Sequence, residues 1–152
     1  MKILVCIDGS KQSKKALEKA SSIAEGCIVA DMAIIHVYEQ SSVDFHSVGG
    51  EGYIPTKEEM ENLKKLQKQE KEERKKILSE ALKFLEEKNI NARTILKEGH
   101  PAETIVNIVH DEGFDIIVMG SRGMGGLQKV FLGSVSNAVV QQVKNCSVLT
   151  VK

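Results

Sequence analysis

The sequence has no excess of charge of either sign. Lys and Arg together number 21, as do Asp and Glu, so the formal net charge is zero. A nucleic-acid footprint shows a basic excess or a basic domain, and no such partner is expected here. Cysteine is scarce: Cys6, Cys27 and Cys146 are odd in number, widely spaced and without a CxxC pair. A disulfide framework is not expected on that pattern, and the thiols read as reduced. Cys6 and Cys146 lie in or beside apolar runs, as small buried hydrophobes do. No apolar stretch approaches the ~20 residues that span a bilayer. The opening MKILVCID runs directly into a strand and an acid, with no signal-peptide core. The expected location is cytoplasmic, with no membrane partner. Tryptophan is absent and aromatics make up 4% of a composition otherwise ordinary for a globular protein. His36, His46, His100 and His110 form no HxxxH pair, so a metal site built from protein ligands alone is not expected. No GxSxG elbow accompanies the serines.

What is present is a regular alternation of apolar runs and helical patterns. At 152 residues the chain suits one domain, 1–152, with a sizeable core. Residues 3–7, ILVCI, read as a central parallel strand covered on both faces, ending at Asp8. Ser10 is placed to cap a helix whose Ala16, Leu17, Ala20, Ile23 and Ala24 recur at helical spacing, with Gly26 where a helix stops. A second strand lies within 28–38. After it comes a loop of about 39–55 containing Gly49, Gly50 and Gly52, long enough to be functional or mobile and feasible as a lid. Thr56 and Glu59 suggest a capping box for a charged helix reaching about Lys88. Its middle, 67–76, has no apolar residue and reads as a solvated face.

A third strand is expected over 92–97. The next helix starts at Pro101, buries Ala102, Ile105, Val106 and Val109, and stops at Gly113. A fourth strand over 114–119 leads into a glycine-rich stretch, a helix from Ser134 to about Lys144 follows, and a fifth strand covers 147–151. The β-α-β-α-β-α-β-α-β order argues an α/β fold: a parallel sheet with helices on both faces and right-handed crossovers.

The glycine-rich stretch, GSRGMGGLQKVFLGSVS over 120–136, lies between a strand's C-terminal end and a helix start. Glycines there allow close backbone approach, and successive N–H groups with a helix N-terminus make a cradle for an anion such as phosphate. Gly125-Gly126 alone reads as a surface turn. Gly120, Gly123 and Gly133-Ser134 follow a G-x2-G-x9-G-S spacing. This is not a P-loop, which needs Gly-Lys-Ser/Thr, nor the dinucleotide fingerprint of a first βα turn.

That spacing, with DGSKQSKKAL over 8–17 and IIHV over 34–37, resembles the universal stress protein family along the whole chain. Because the glycine motif is intact, the resemblance is to the branch that binds ATP. It implies a three-layer, Rossmann-like fold with an open five-stranded sheet in order 3-2-1-4-5. Asp8-Gly9-Ser10 and Gly120–Gly123 would then meet in one crevice. It further implies that Asp8 lies near the ribose and phosphates, accepting a hydroxyl or helping to hold Mg or Mn, with Gly9 and Ser10 beside it. Val37 would offer backbone groups to the adenine, and Met119 and Gly120 would border base and ribose. Gly123, Gly133, Ser134, Val135 and Ser136 would bind phosphates. Arg122 and Lys129 could screen phosphate charge or be solvated; Asp8 could equally be a turn residue and Gly133-Ser134 only a helix cap.

Three functions follow. The first is a nucleotide-responsive regulatory module of the stress response that binds ATP or another adenine nucleotide. The second is a slow ATP hydrolase or phosphoryl-transfer enzyme, for which no general base stands out beside the glycine-rich loop. The third is an interaction protein with no nucleotide. The uncharged 148–151 run is a pairing hazard if it forms an exposed edge, and the family resemblance implies a homodimer through it.

Overall fold

The structure is a computed structural model, and it describes residues 1–39, 54–123 and 132–152. Five strands and four helices alternate: β1 (Lys2–Cys6), α1 (Lys11–Gly26), β2 (Asp31–Tyr38), α2 (Lys57–Glu86), β3 (Arg93–Glu98), α3 (Pro101–Glu112), β4 (Ile116–Gly120), α4 (Ser134–Gln142) and β5 (Ser147–Val151). The strands form one parallel sheet in the order β3-β2-β1-β4-β5, the order implied by the resemblance. Most of the long loop expected over 39–55, including its glycines, lies outside the described residues, as do Gly125, Gly126 and Lys129.

Two apolar layers sandwich the sheet. Ile3, Val5, Met32, Ile34 and Val118 face Ala16, Leu17 and Ala20 of α1 and Leu78, Ala81 and Leu85 of α2. Leu4, Ala33, Ile35, Ile117 and Met119 face Ala102, Ile105 and Val109 of α3 and Val139 of α4. Period-two alternation sends successive side chains to opposite layers, and both layers are covered. The central strands are therefore continuously apolar. Each fully buried Ile or Leu contributes about 1.5–3 kcal/mol by leaving water.

The helix ends follow local chemistry. Ser10 caps α1, its side chain accepting from the Ser13 amide at 3.1 Å, while the Ser13 hydroxyl donates to the Ser10 carbonyl at 2.9 Å. Thr56 and Glu59 form the expected capping box at the start of α2. Gly113, at φ +66°, ends α3 in the left-handed conformation that glycine adopts without strain. Gly26 behaves otherwise. It is the last residue of α1, and the chain leaves through an extended Cys27, so no left-handed cap forms there. Among the described residues, no helix is long and apolar enough to cross a membrane.

Candidate functional site

The strand order reverses between β1 and β4: the chain leaves β1 towards β2 and β3, then returns through α3 to lay β4 on β1's other side. Crevices form at the C-terminal ends of strands at such a reversal. A cleft of about 500 Å³ lies there, within the usual range for small-molecule sites.

Its walls come from both sides of the reversal. The turn after β1 is held by Asp8, whose Oδ1 accepts the Ser10 amide at 2.9 Å. Gly9 follows at φ +84°, a conformation that L side chains rarely adopt. At the end of β4, a Cβ on Gly120 would lie 2.9 Å from Gln12 Cβ and 3.0 Å from the Gln12 carbonyl carbon, so β4 can approach α1 this closely only with glycine there. A Cβ on Gly123 would lie 2.6 Å from Asp8 Oδ2. The two loops are thus in direct contact, with the carboxylate laid against the glycine backbone.

Ser121 ties this corner together. Its amide donates to the Val151 carbonyl at 2.7 Å. Its carbonyl accepts from the Gly133 amide at 2.7 Å and from the Ser136 hydroxyl at 2.9 Å. Gly133 is the N-cap of α4 and supplies no side-chain cap. The first-turn amides of Ser134, Val135 and Ser136 have no backbone acceptor among the described residues and carry the partial positive charge of a helix N-terminus. Among the described residues, the buried Nε of Arg122 has no hydrogen-bond partner, and neither has the buried Ser121 hydroxyl.

Of the residues expected at a site, Asp8, Val37, Met119, Gly120, Arg122, Gly123, Gly133, Ser134, Val135 and Ser136 line the cleft. Gly9 and Ser10 do not: Ser10 is buried as the cap of α1, and Gly9 lies against Ile77 on the α2 side. Ser136 reaches the cleft with its hydroxyl already bonded to the Ser121 and Gly133 carbonyls. Ile7, Ile35, Pro101, Ile105 and Leu132 add an apolar lining that sequence reasoning treated as helix start, core or loop. The signal for Pro101 and Ile105 lay in topology: α3 follows β3 and begins at the same edge of the sheet as the cleft.

Electrostatics divide the site into a polar corner and a neutral surround. Cys6 lines the cleft, and burial pushes its thiol well above the ordinary range, which disfavours the thiolate. Behind Asp8, on the α2 side of the sheet, His36 is buried and its Nδ1–H donates to the Ile7 carbonyl at 2.8 Å. Desolvation lowers its pKa from the ordinary value, which keeps the ring neutral. No group of three or more His, Cys, Asp or Glu among the described residues could hold a metal.

The universal stress protein family profile matches residues 1–152. The universal stress protein YxiE of Bacillus subtilis is 38% identical over 151 residues, covering 99% of this chain and 98% of that one. The universal stress protein MJ0577 of Methanocaldococcus jannaschii is 33% identical over 156 residues, covering 99% and 94%. The solved structure of MJ0577 superposes with a TM-score of 0.78. A universal stress protein family structure from Arabidopsis thaliana, with AMP bound, is 20% identical and superposes with a TM-score of 0.64 over 100% of this chain and 91% of that one, a likeness of fold. The chain belongs to the universal stress protein family.

Proposed function

We propose that the cleft between β1 and β4 binds an adenine nucleotide, ATP with Mg or Mn first among them, and that the protein is a nucleotide-responsive regulatory module. The observation that carries this reading is the polar corner. Arg122, Gly123, Gly133 and the first-turn residues of α4 line one side of the cleft, and neither the three first-turn amides nor the Arg122 Nε has a hydrogen-bond partner among the described residues, a set of donors suited to phosphate. The apolar remainder, with Val37, Ile105 and Met119, suits a heteroaromatic base. A family relative of the same fold holds AMP. Asp8 is the only carboxylate on the described lining. It fits a ribose hydroxyl or supplies one oxygen to a cation held mainly by phosphates and water, as is usual for Mg²⁺; the cation would offset phosphate charge.

Binding is favoured over turnover because phosphoryl transfer needs a positioned base or water-orienting group and strong charge stabilisation. The described lining offers one carboxylate, one guanidinium and a neutral thiol. Homodimerisation through β5 and a cytoplasmic location belong to the same reading.

Thermal unfolding with and without ATP and Mg²⁺ tests it, with Gly133→Asp alongside. At a hundredfold the dissociation constant, a ligand adds ~2.7 kcal/mol, or roughly 5–10 °C for a domain of this size. A Cβ at Gly133 meets nothing nearer than 3.4 Å and the residue is an N-cap, so aspartate is accommodated there and repels phosphate. The expected result is a rise in the wild type that the variant loses. An equal rise in both places the nucleotide elsewhere, and no rise with any adenine nucleotide defeats the reading.

A further inference from the structure

The hydrogen-bond ladder between β1 and β2 stops early at the cleft. The Ile7 amide donates to the Ile35 carbonyl at 2.9 Å, so each of these residues turns its backbone groups towards the other strand. In a parallel ladder the next bond runs from the amide two residues further on, that of Val37, to the Ile7 carbonyl. That bond is absent: the register of β1 with β2 ends at Cys6 and Ile35, and neither the amide nor the carbonyl of Val37 has a hydrogen-bond partner among the described residues. β3 does not take them, because alternate residues of a strand share a side. Tyr38 faces β3, where its carbonyl accepts the Gly99 amide at 2.9 Å, and Val37 faces β1. The Ile7 carbonyl is occupied by a side chain instead. The buried His36 ring reaches it through Nδ1 at 2.8 Å. A carbonyl only accepts, so the proton is on Nδ1.

We propose that His36 is a positioning residue of the nucleotide site: by holding the Ile7 carbonyl, its ring keeps the ladder from closing and leaves the Val37 N–H and C=O open for the hydrogen-bonding edge of the base. The inference rests on the nucleotide reading above and adds the residue that makes the partners of the base available. Val37 lines the cleft and His36 lies behind it, so His36 acts through the backbone and not by contact with the ligand. A backbone donor beside a backbone acceptor fixes the orientation of a ligand in an otherwise apolar pocket. The pair matches adenine, whose N1 accepts and whose N6 amino group donates. Without the ring, the Ile7 carbonyl would be left unpaired, and the nearest remedy is the Val37 amide. The ladder would then close by one bond and the base would lose its donor.

The test reads the backbone first, without ligand. Amide hydrogen exchange of the full chain is followed by ¹H–¹⁵N spectra in the wild type, in His36→Leu, which removes the donor, and in His36→Asn, whose side-chain amide can donate in place of Nδ1. The Val37 amide is expected to exchange roughly tenfold or more faster than that of Ile35 in the wild type and in His36→Asn, and to slow to the Ile35 range in His36→Leu. ATP and 1-deaza-ATP, which lacks the N1 acceptor, are then titrated. The wild type and His36→Asn should prefer ATP by roughly two- to tenfold, as one hydrogen bond allows, and His36→Leu should bind both alike. A Val37 amide as protected as that of Ile35 in the wild type overturns the proposal without any variant, and so does equal binding of the two nucleotides by the wild type. Fast exchange at Val37 that is unchanged in a folded His36→Leu overturns it too, leaving the ring a purely structural part. The expected exchange pattern with neither nucleotide bound identifies the nucleotide reading as the failure, and the proposal falls with it.

Discussion

Two glycines of the motif serve different physical ends, and substitution separates them. Gly120 is required by packing, because a Cβ would press into Gln12 and the Ser13 amide at 2.9–3.0 Å, and two of the three nearest atoms are α1 backbone. Gly133 faces only ordinary contacts at 3.4 Å and beyond. Gly120→Ala should therefore cost about 1–3 kcal/mol through overpacking, measured by denaturant unfolding, and Gly133→Ala clearly less. Equal costs would refute the distinction. Spacing alone made both look like ligand glycines, since no sequence pattern reveals which helix a distant glycine will touch. At His36 the charge sign decides a pH effect. Its folded pKa lies below the ordinary 6.5 because burial disfavours the imidazolium. The stability contributed by the neutral ring is complete above about 6.5 and is lost as pH falls through the lowered folded value. Unfolding free energy should fall between pH 7.5 and 5, and His36→Asn should flatten that slope; a slope unchanged by the substitution would mean other groups carry it.

At the scale of elements, helix starts were legible from side chains that act within one turn, and the end of α3 from Gly113. Ser10, Thr56, Glu59 and Pro101 announce helix starts by side-chain chemistry that acts within one turn, and the structure uses all four. α1 does stop at Gly26, where the sequence places a helix stop, but without a left-handed cap: the chain leaves through an extended Cys27, and nothing lies within 4 Å of a Cβ at Gly26. The Ser10 cap belongs to the wall that presents Asp8, because the Ser10 amide is bonded to that carboxylate. Ser10→Ala removes the Ser13 bond at a buried cap and should cost ~1 kcal/mol, seen as a lower denaturant midpoint with an unchanged slope. A midpoint equal to wild type would show that the reciprocal Ser13 bond suffices. The meeting of Asp8 with Gly123 was legible only through the family resemblance, which supplied the strand order. Pro101 and Ile105 escaped notice because apolar cleft lining and apolar core look alike in a sequence.

For the whole molecule, the decisive feature is the outer strand β5. The Ser147 amide reaches β4 through the Asp115 carbonyl at 2.9 Å. In a parallel strand alternate residues share a side, so the N–H groups of Val148 and Thr150 point away from the sheet. A homodimer is expected by sedimentation at micromolar concentration. Thr150→Pro removes an outward donor and no bond to β4, so it should give a monomer with native circular dichroism. A dimer that survives this change would place the interface elsewhere. The other border, β3, is of a different kind: Arg93, Lys97 and Glu98 stand exposed along it, and Arg93 is tied to Asp31 and Glu112. Charge blunts an edge against pairing. The molecule therefore has one border that can accept a neighbour and one that refuses it. A two-fold contact between like borders consumes the only adhesive one on each copy. Such an assembly is finite by construction, ending at two subunits with no free end from which a fibre could grow.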